Sequence, residues 1–162
     1  MEFTDLNPHG GIGANCVLAR IGRFNVLVDC GLHPKKLGAE ALPDFSRLEG
    51  TALDVIVLTH CHLDHVGALP LVSARYPDTP ILTSIPNLTL APRMLRNSVN
   101  VMKRQREAHG VTEYPFFVQR DVSELAKRLS AQRFGQPASY EKDGETLDLV
   151  LHPAGHVGGA AA

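Results

Sequence analysis

The sequence predicts an α/β layered domain. Three observations carry that expectation. Asp54-Val55-Ile56-Val57-Leu58-Thr59 is a continuous apolar run rich in β-branched residues, which marks a strand buried on both faces. Segments of helical periodicity follow it, separated by further short strands. The 162 residues, 44% hydrophobic and 20% charged, suffice for one domain with its own core.

In chain order, Cys16 to Arg20 and Phe24 to Asp29 read as two strands, and the link Ile21-Gly22-Arg23 makes them a hairpin. Gly10-Gly11-Ile12-Gly13 before them is a turn; no Gly-Lys-Ser/Thr follows, so it is not a phosphate-binding loop. Gly31 to Gly50, broken by Pro34, Gly38 and Pro43, reads as irregular loop. After the buried strand 54–59, Leu63 to Arg75 carries Val66, Leu69 and Val72 at helical spacing, with Pro70 early in the run. Pro80 to Ser84 is the next strand. Asn87 to His109 is a longer helix, with a break or restart expected at Pro92 and a stop at Gly110. Asp121-Val122-Ser123-Glu124 has the form of a capping box with Asp121 in the cap position, opening a helix to about Arg133. Leu147 to His152 is a last strand, followed by Pro153-Ala154-Gly155-His156-Val157-Gly158-Gly159-Ala160. A Gly/Ala segment leading toward another strand reads as the cut end of a longer protein.

Composition excludes several classes. No apolar run approaches the roughly 18 residues that span a bilayer. The first residues have neither a basic flank nor an apolar stretch, so no secretory leader is expected. A net charge of −1 argues neither for nor against a nucleic-acid partner. Three cysteines, Cys16, Cys30 and Cys61, are an odd number and no disulfide framework; a reducing cytoplasm fits them. Arg93, Arg96, Lys103, Arg104 and Arg106 cluster on the long helix, with Arg120, Lys127, Arg128 and Arg133 beyond. No aromatic residues interleave with them, so they read as a solvated face rather than a base-stacking platform.

The chemistry is concentrated in Thr59-His60-Cys61-His62-Leu63-Asp64-His65-Val66-Gly67. In an extended segment residues two apart point the same way, so His60 and His62 aim at one point. The chain then enters a helix whose first turn holds Asp64 and His65, facing the same space from the other side. Imidazoles with a carboxylate suit zinc. Cys61 lies between the two histidines and points away, as a small buried residue. Tetrahedral zinc needs more than two ligands, and His156, in a Gly-rich loop after a strand, is the third candidate. Asp29 at the end of its strand either caps the turn or orients the metal loop through hydrogen bonds.

His60-x-His62-x-Asp64-His65 resembles the signature of the metallo-β-lactamase fold superfamily. The flanks Val28-Asp29-Cys30-Gly31-Leu32-His33-Pro34, Ala41-Leu42-Pro43-Asp44-Phe45 and Asp64-His65-Val66-Gly67-Ala68-Leu69-Pro70 resemble its β-CASP branch, which includes the endonucleases of mRNA 3′-end cleavage. Pro153-Ala154-Gly155-His156 fits the same branch. The resemblance implies the N-terminal half of an αββα sandwich, and a two-zinc phosphodiesterase acting on RNA. His60, His62 and His156 would hold one zinc, and Asp64 and His65 would help hold the other. Asp64 would also orient the attacking water, and Asp29 would support the site. The family's downstream bridging Asp, its later His and the β-CASP insertion lie outside residues 1–162. The resemblance therefore implies a partial domain not active alone, with about one zinc, whose inner sheet face is covered by the missing half or by a partner chain. Two other readings stay open: a thioester or lactone hydrolase of the same fold, and a non-catalytic half domain completed by a partner. Ala154 before Gly155-His156 speaks against the first, since glyoxalase-type relatives more often carry Pro-Gly-His there.

Overall fold

All four residues of β4 (Val55–Leu58) are buried, and the rest of the molecule is layered on the two faces of this strand. The computed structural model describes residues 1–162. β4 lies inside a six-stranded sheet with β1 (Glu2–Asp5), β2 (Val17–Ile21), β3 (Phe24–Val28), β5 (Ile81–Ser84) and β6 (Leu129–Gln132), ordered β1-β2-β3-β4-β5-β6. β1 to β3 pair antiparallel, and β3 to β6 run parallel. One register row crosses the parallel part: Leu27 beside Ile56, Ile56 beside Ile81, Ile81 beside Leu129.

Parallel neighbours need crossovers, and these build the helical layer. Two 3-10 turns, Gly38–Ala41 and Phe45–Leu48, lie between β3 and β4. α1 (Leu63–Val66) and α2 (Leu69–Arg75) lie between β4 and β5. α3 (Asn87–His109) and α4 (Gln119–Arg128) lie between β5 and β6. The strand period of two then sorts the side chains. Ile56 and Leu58 point into the helix-side core with Leu18, Leu27, Ile81, Leu95 and Val99. Val55 and Val57 point to the other face with Ala19, Val26 and Leu82. There they meet Leu147 and Leu151 at the antiparallel hairpin of β7 (Pro137–Lys142) and β8 (Glu145–Val150). Lys142 Nζ clamps this hairpin to the sheet through the Asp54 carboxylate at 2.8 and 3.0 Å. No helix is long and apolar enough to cross a membrane.

The expected inner face is thus partly covered from within the chain. An apolar cavity of about 220 Å³ remains beside the hairpin, lined by Ile21, Val28, Val57 and Leu149 among others.

Several elements differ from expectation. The single helix 63–75 is two helices. An unbroken helix needs the Ala68 N–H on the Asp64 carbonyl, but Ala68 donates instead to the Cys30 carbonyl at 2.8 Å. The Asp64 carbonyl is taken by the backbone N–H and the side-chain amide of Asn15, each at 2.9 Å. α3 runs through Pro92 without a break; the proline lies near the helix start and is buried in the interface. Gly110, at φ +66°, ends α3 as expected. Asp121 is not the cap of α4. It sits in the first turn, and its carboxylate accepts the Val118 N–H at 2.8 Å. α4 stops at Arg128, not near residue 133, because residues 129–132 pair with β5 as the edge strand β6. β1 and β7 were not anticipated, and β8 lies at 145–150 rather than 147–152. The β7–β8 turn is Asp143-Gly144 with φ +50° and +80°, a two-residue hairpin signal that was present in the sequence.

Arg128 holds the helical layer to itself. Its guanidinium donates to the carbonyls of Ser73, Tyr76 and Thr79, closing the end of α2. Arg128→Ala should lower stability by about 2–3 kcal/mol in urea denaturation, because carbonyls bonded to a charged group lose their donor. Arg120→Ala, on the exposed start of α4, should change it by less than about 0.5 kcal/mol.

Candidate metal centre

The site sits where β4 ends. Residues 59–62 link β4 to α1, which begins at Leu63. This is the carboxyl end of the parallel strands, where open α/β sheets place their ligands. The Asp29 loop reaches it from β3, and the His156 loop reaches it from beyond β8.

Asp29 is buried and adopts φ +59°. Its Oδ1 accepts the Thr59 N–H at 2.8 Å, and its Oδ2 accepts the Thr59 hydroxyl at 2.7 Å. The same Oδ2 lies 2.7 Å from His65 Nδ1. These contacts set the tautomer of His60. The Thr59 hydroxyl hydrogen is spent on Asp29, so Thr59 Oγ1 accepts from His60 Nδ1, 3.0 Å away. His60 Nε2 is then left with its lone pair, is fully buried, and has no hydrogen-bond partner. His65 Nδ1 likewise donates to Asp29 Oδ2.

His60, His62 and His156 bring one ligand atom each to within 4.8 Å of one another. His62 Nδ1 and His156 Nε2 are 3.3 Å apart. The edge of a tetrahedron with zinc–nitrogen bonds of about 2.05 Å is about 3.3 Å. Burial, with the His65 ring 3.9 Å from its own, pushes His60 down to about 4, so the ring is neutral at pH 7. A neutral imidazole with an orphaned buried lone pair is what a zinc ligand requires; unfilled, that atom costs roughly 1–3 kcal/mol. The donor set therefore fits a zinc ion held by His60, His62 and His156. Burial would lower His65, but the hydrogen bond and charge of Asp29 and the charge of Asp64 outweigh it and hold the ring above the usual imidazole range.

Asp64 and His65 lie beside the three histidines without joining them. His65 Nε2 is 3.7 Å from Asp64 Oδ2. Cys61 is buried within the helix-side core. The whole cluster depends on close backbone approach. Cys30 N donates to the His65 carbonyl at 2.7 Å and Leu32 N to the Leu63 carbonyl at 2.8 Å. A Cβ on Gly31 would lie 1.7 Å from the Asp64 carbonyl oxygen, so no other residue fits there. Sequence reasoning missed two contributors. Thr59, the relay between Asp29 and His60, was visible as the flank of the histidine motif. Asn15, which contacts Asp64 and His65, gave no signal, because it is 49 residues away in sequence.

The metallo-beta-lactamase superfamily profile matches residues 9–153. The Integrator complex subunit 11 homolog of Dictyostelium discoideum is 31% identical over 99% of this chain and 21% of its own length. Transcription termination factor FttA of Cenarchaeum symbiosum is 29% identical over 99% of this chain and 24% of its own. Cleavage and polyadenylation specificity factor subunit 3-I of Arabidopsis thaliana is 29% identical over 98% of this chain and 22% of its own. The chain thus spans about a quarter or less of these relatives. Among solved structures, a Cronobacter sakazakii metallo-beta-lactamase variant has the same fold over 94% of this chain and 52% of its own, with TM-score 0.55 at 21% identity. An archaeal superfamily protein from Sulfolobus tokodaii matches 91% of this chain and 54% of its own, with TM-score 0.51 at 20% identity.

Equilibrium dialysis against zinc, read by elemental analysis, checks the ligand assignment. His60→Ala should weaken tight zinc binding at least a hundredfold, and Cys61→Ala should leave it within twofold. Equal loss in both variants would contradict the assignment.

Proposed function

We propose that this chain, which belongs to the metallo-beta-lactamase superfamily, supplies the first metal site of a zinc-dependent phosphodiester hydrolase acting on RNA. The orphaned, correctly tautomerised His60 beside His62 and His156 carries the metal part of this reading. The RNA part is supported by near-complete alignment of the chain with proteins of cleavage and polyadenylation, Integrator and transcription termination, and by the β-CASP-like flanks of the histidine motif.

In this reading His60, His62 and His156 hold the ion. When bound, zinc supplies Lewis-acid stabilisation of charge developing on phosphoryl oxygens. The chain's own residues do the rest. Thr59 and Asp29 lock His60 in the ligating tautomer. Asp64, half-buried in the first turn of α1, orients the attacking water and accepts its proton as the new P–O bond forms in line and the opposite P–O bond breaks, the leaving oxygen taking a proton from water. Asp29 acts only through Thr59 and His65, as a positioning residue. Sequence beyond these residues, or a partner chain, completes the catalytic set and covers the rest of the inner sheet face beside β8. Three free thiols fit a reducing cytoplasm.

Binding of a fluorescein-labelled single-stranded RNA to the zinc-loaded chain, read by anisotropy, tests the reading. The affinity should fall at least tenfold on adding EDTA and in His156→Ala. Zinc-independent binding, or zinc-dependent thioester hydrolysis faster than that of bis(p-nitrophenyl) phosphate, would overturn it.

A further inference from the structure

We propose that the side-chain amide of Asn15 fills the second cation position of this site, so that the chain holds one metal at His60, His62 and His156 and none between Asp64 and His65. This rests on reading the three-histidine cluster as a metal site. A second ion there would have to use the lone pairs of Asp64 Oδ2 and His65 Nε2. Both are already engaged by one atom. Asn15 Nδ2 lies 3.2 Å from Asp64 Oδ2 and 3.1 Å from His65 Nε2. It also donates to the Asp64 carbonyl at 2.9 Å.

The chemistry of the acceptors sets the amide's orientation. Asp64 presents two oxygens to it, the backbone carbonyl at 2.9 Å and Oδ2 at 3.2 Å. Two oxygen acceptors around one group require the NH2 end; the carbonyl end there would face oxygen on two sides. An amide nitrogen carries positive hydrogens and no free lone pair, so it stands in for a cation and cannot bind one.

The backbone holds the amide in place. Asn15 N donates to the Asp64 carbonyl at 2.9 Å, and the Asn15 carbonyl accepts from Gly31 N at 2.9 Å. The residue before it, Ala14, is buried at φ +48°. The side chain therefore cannot leave the gap by a shift of its loop without breaking the contacts that also seat Asp29 and α1. Asn15 is a built-in occupant of the position, and it fixes the Asp64 carboxylate while the three histidines carry the ion.

Titration of the metal-free chain with Co2+, followed by visible absorption and confirmed by elemental analysis with zinc, tests this. The wild-type chain should saturate at one equivalent. Asn15→Asp replaces the amide with a carboxylate of the same size, giving three anionic or imidazole donors, and should saturate at two equivalents. Its second equivalent should bind at least tenfold more tightly than any second binding in the wild type. Asn15→Ala, which only removes the donor, should show a weaker second equivalent and keeps the test valid if the carboxylate variant misfolds. Two tight equivalents in the wild type would overturn this proposal alone, as would a single equivalent in both folded variants. No metal in any of the proteins would overturn this proposal and the metal reading together.

Discussion

A single buried carboxylate organises the histidines. Asp29 accepts a backbone N–H, a hydroxyl and an imidazole N–H, and its own N–H is bonded to Val57 of β4. Each partner lies on the β4–α1 segment, so one side chain ties the end of β3 to both sides of the bend that carries the metal motif. A buried carboxylate is costly unless its lone pairs are filled. Here every donor that fills them belongs to the site. The stability of the loop and the orientation of the ligands are therefore the same set of hydrogen bonds.

The layered core makes this arrangement possible. β4 is buried on both faces, so its carboxyl end is held at a fixed height above the sheet. The Asp29-Cys30-Gly31-Leu32 segment then lies along α1 through backbone bonds, and Gly31 is the residue that lets the two chains touch. The same contacts shorten α1 to one turn by taking the Ala68 N–H and the Asp64 carbonyl away from the helix. On the far side, the 152–162 segment folds back so that Ala161 N donates to the Thr59 carbonyl at 3.0 Å. That return places His156 over His62. The histidine cluster is thus assembled by three backbone approaches, and side-chain hydrogen bonds complete it.

Much of the candidate site was legible because its spacing is local. His60 and His62 share a face by the strand period, and Asp64 and His65 follow in the next turn. His156 was legible as a histidine in a Gly-rich loop once a third donor was needed. The buried strand 54–59 and the long helix ending at Gly110 were legible for the same reason, since periodicity and capping are short-range properties. Asn15 was not, because its role is defined by Asp64 and Gly31 and by nothing in its own neighbourhood. β6 was hidden for a related reason. Leu129 to Gln132 continues a helical pattern, and only the open edge of β5 makes a strand the better state. β7 was overlooked despite the Asp143-Gly144 turn, whose signal is local. The hairpin's importance, the covering of Val55 and Val57, appears only when the sheet is assembled.

Asp29 and Thr59 prepare His60 to bind a metal before any metal arrives. Long-range 15N–1H correlation spectra of the metal-free chain at neutral pH report the tautomer of that ring directly. His60 should be neutral with its proton on Nδ1 and Nε2 bare, and this preference should be lost in Asp29→Ala. A proton on Nε2, or a mixture of the two tautomers in the wild-type chain, would contradict it.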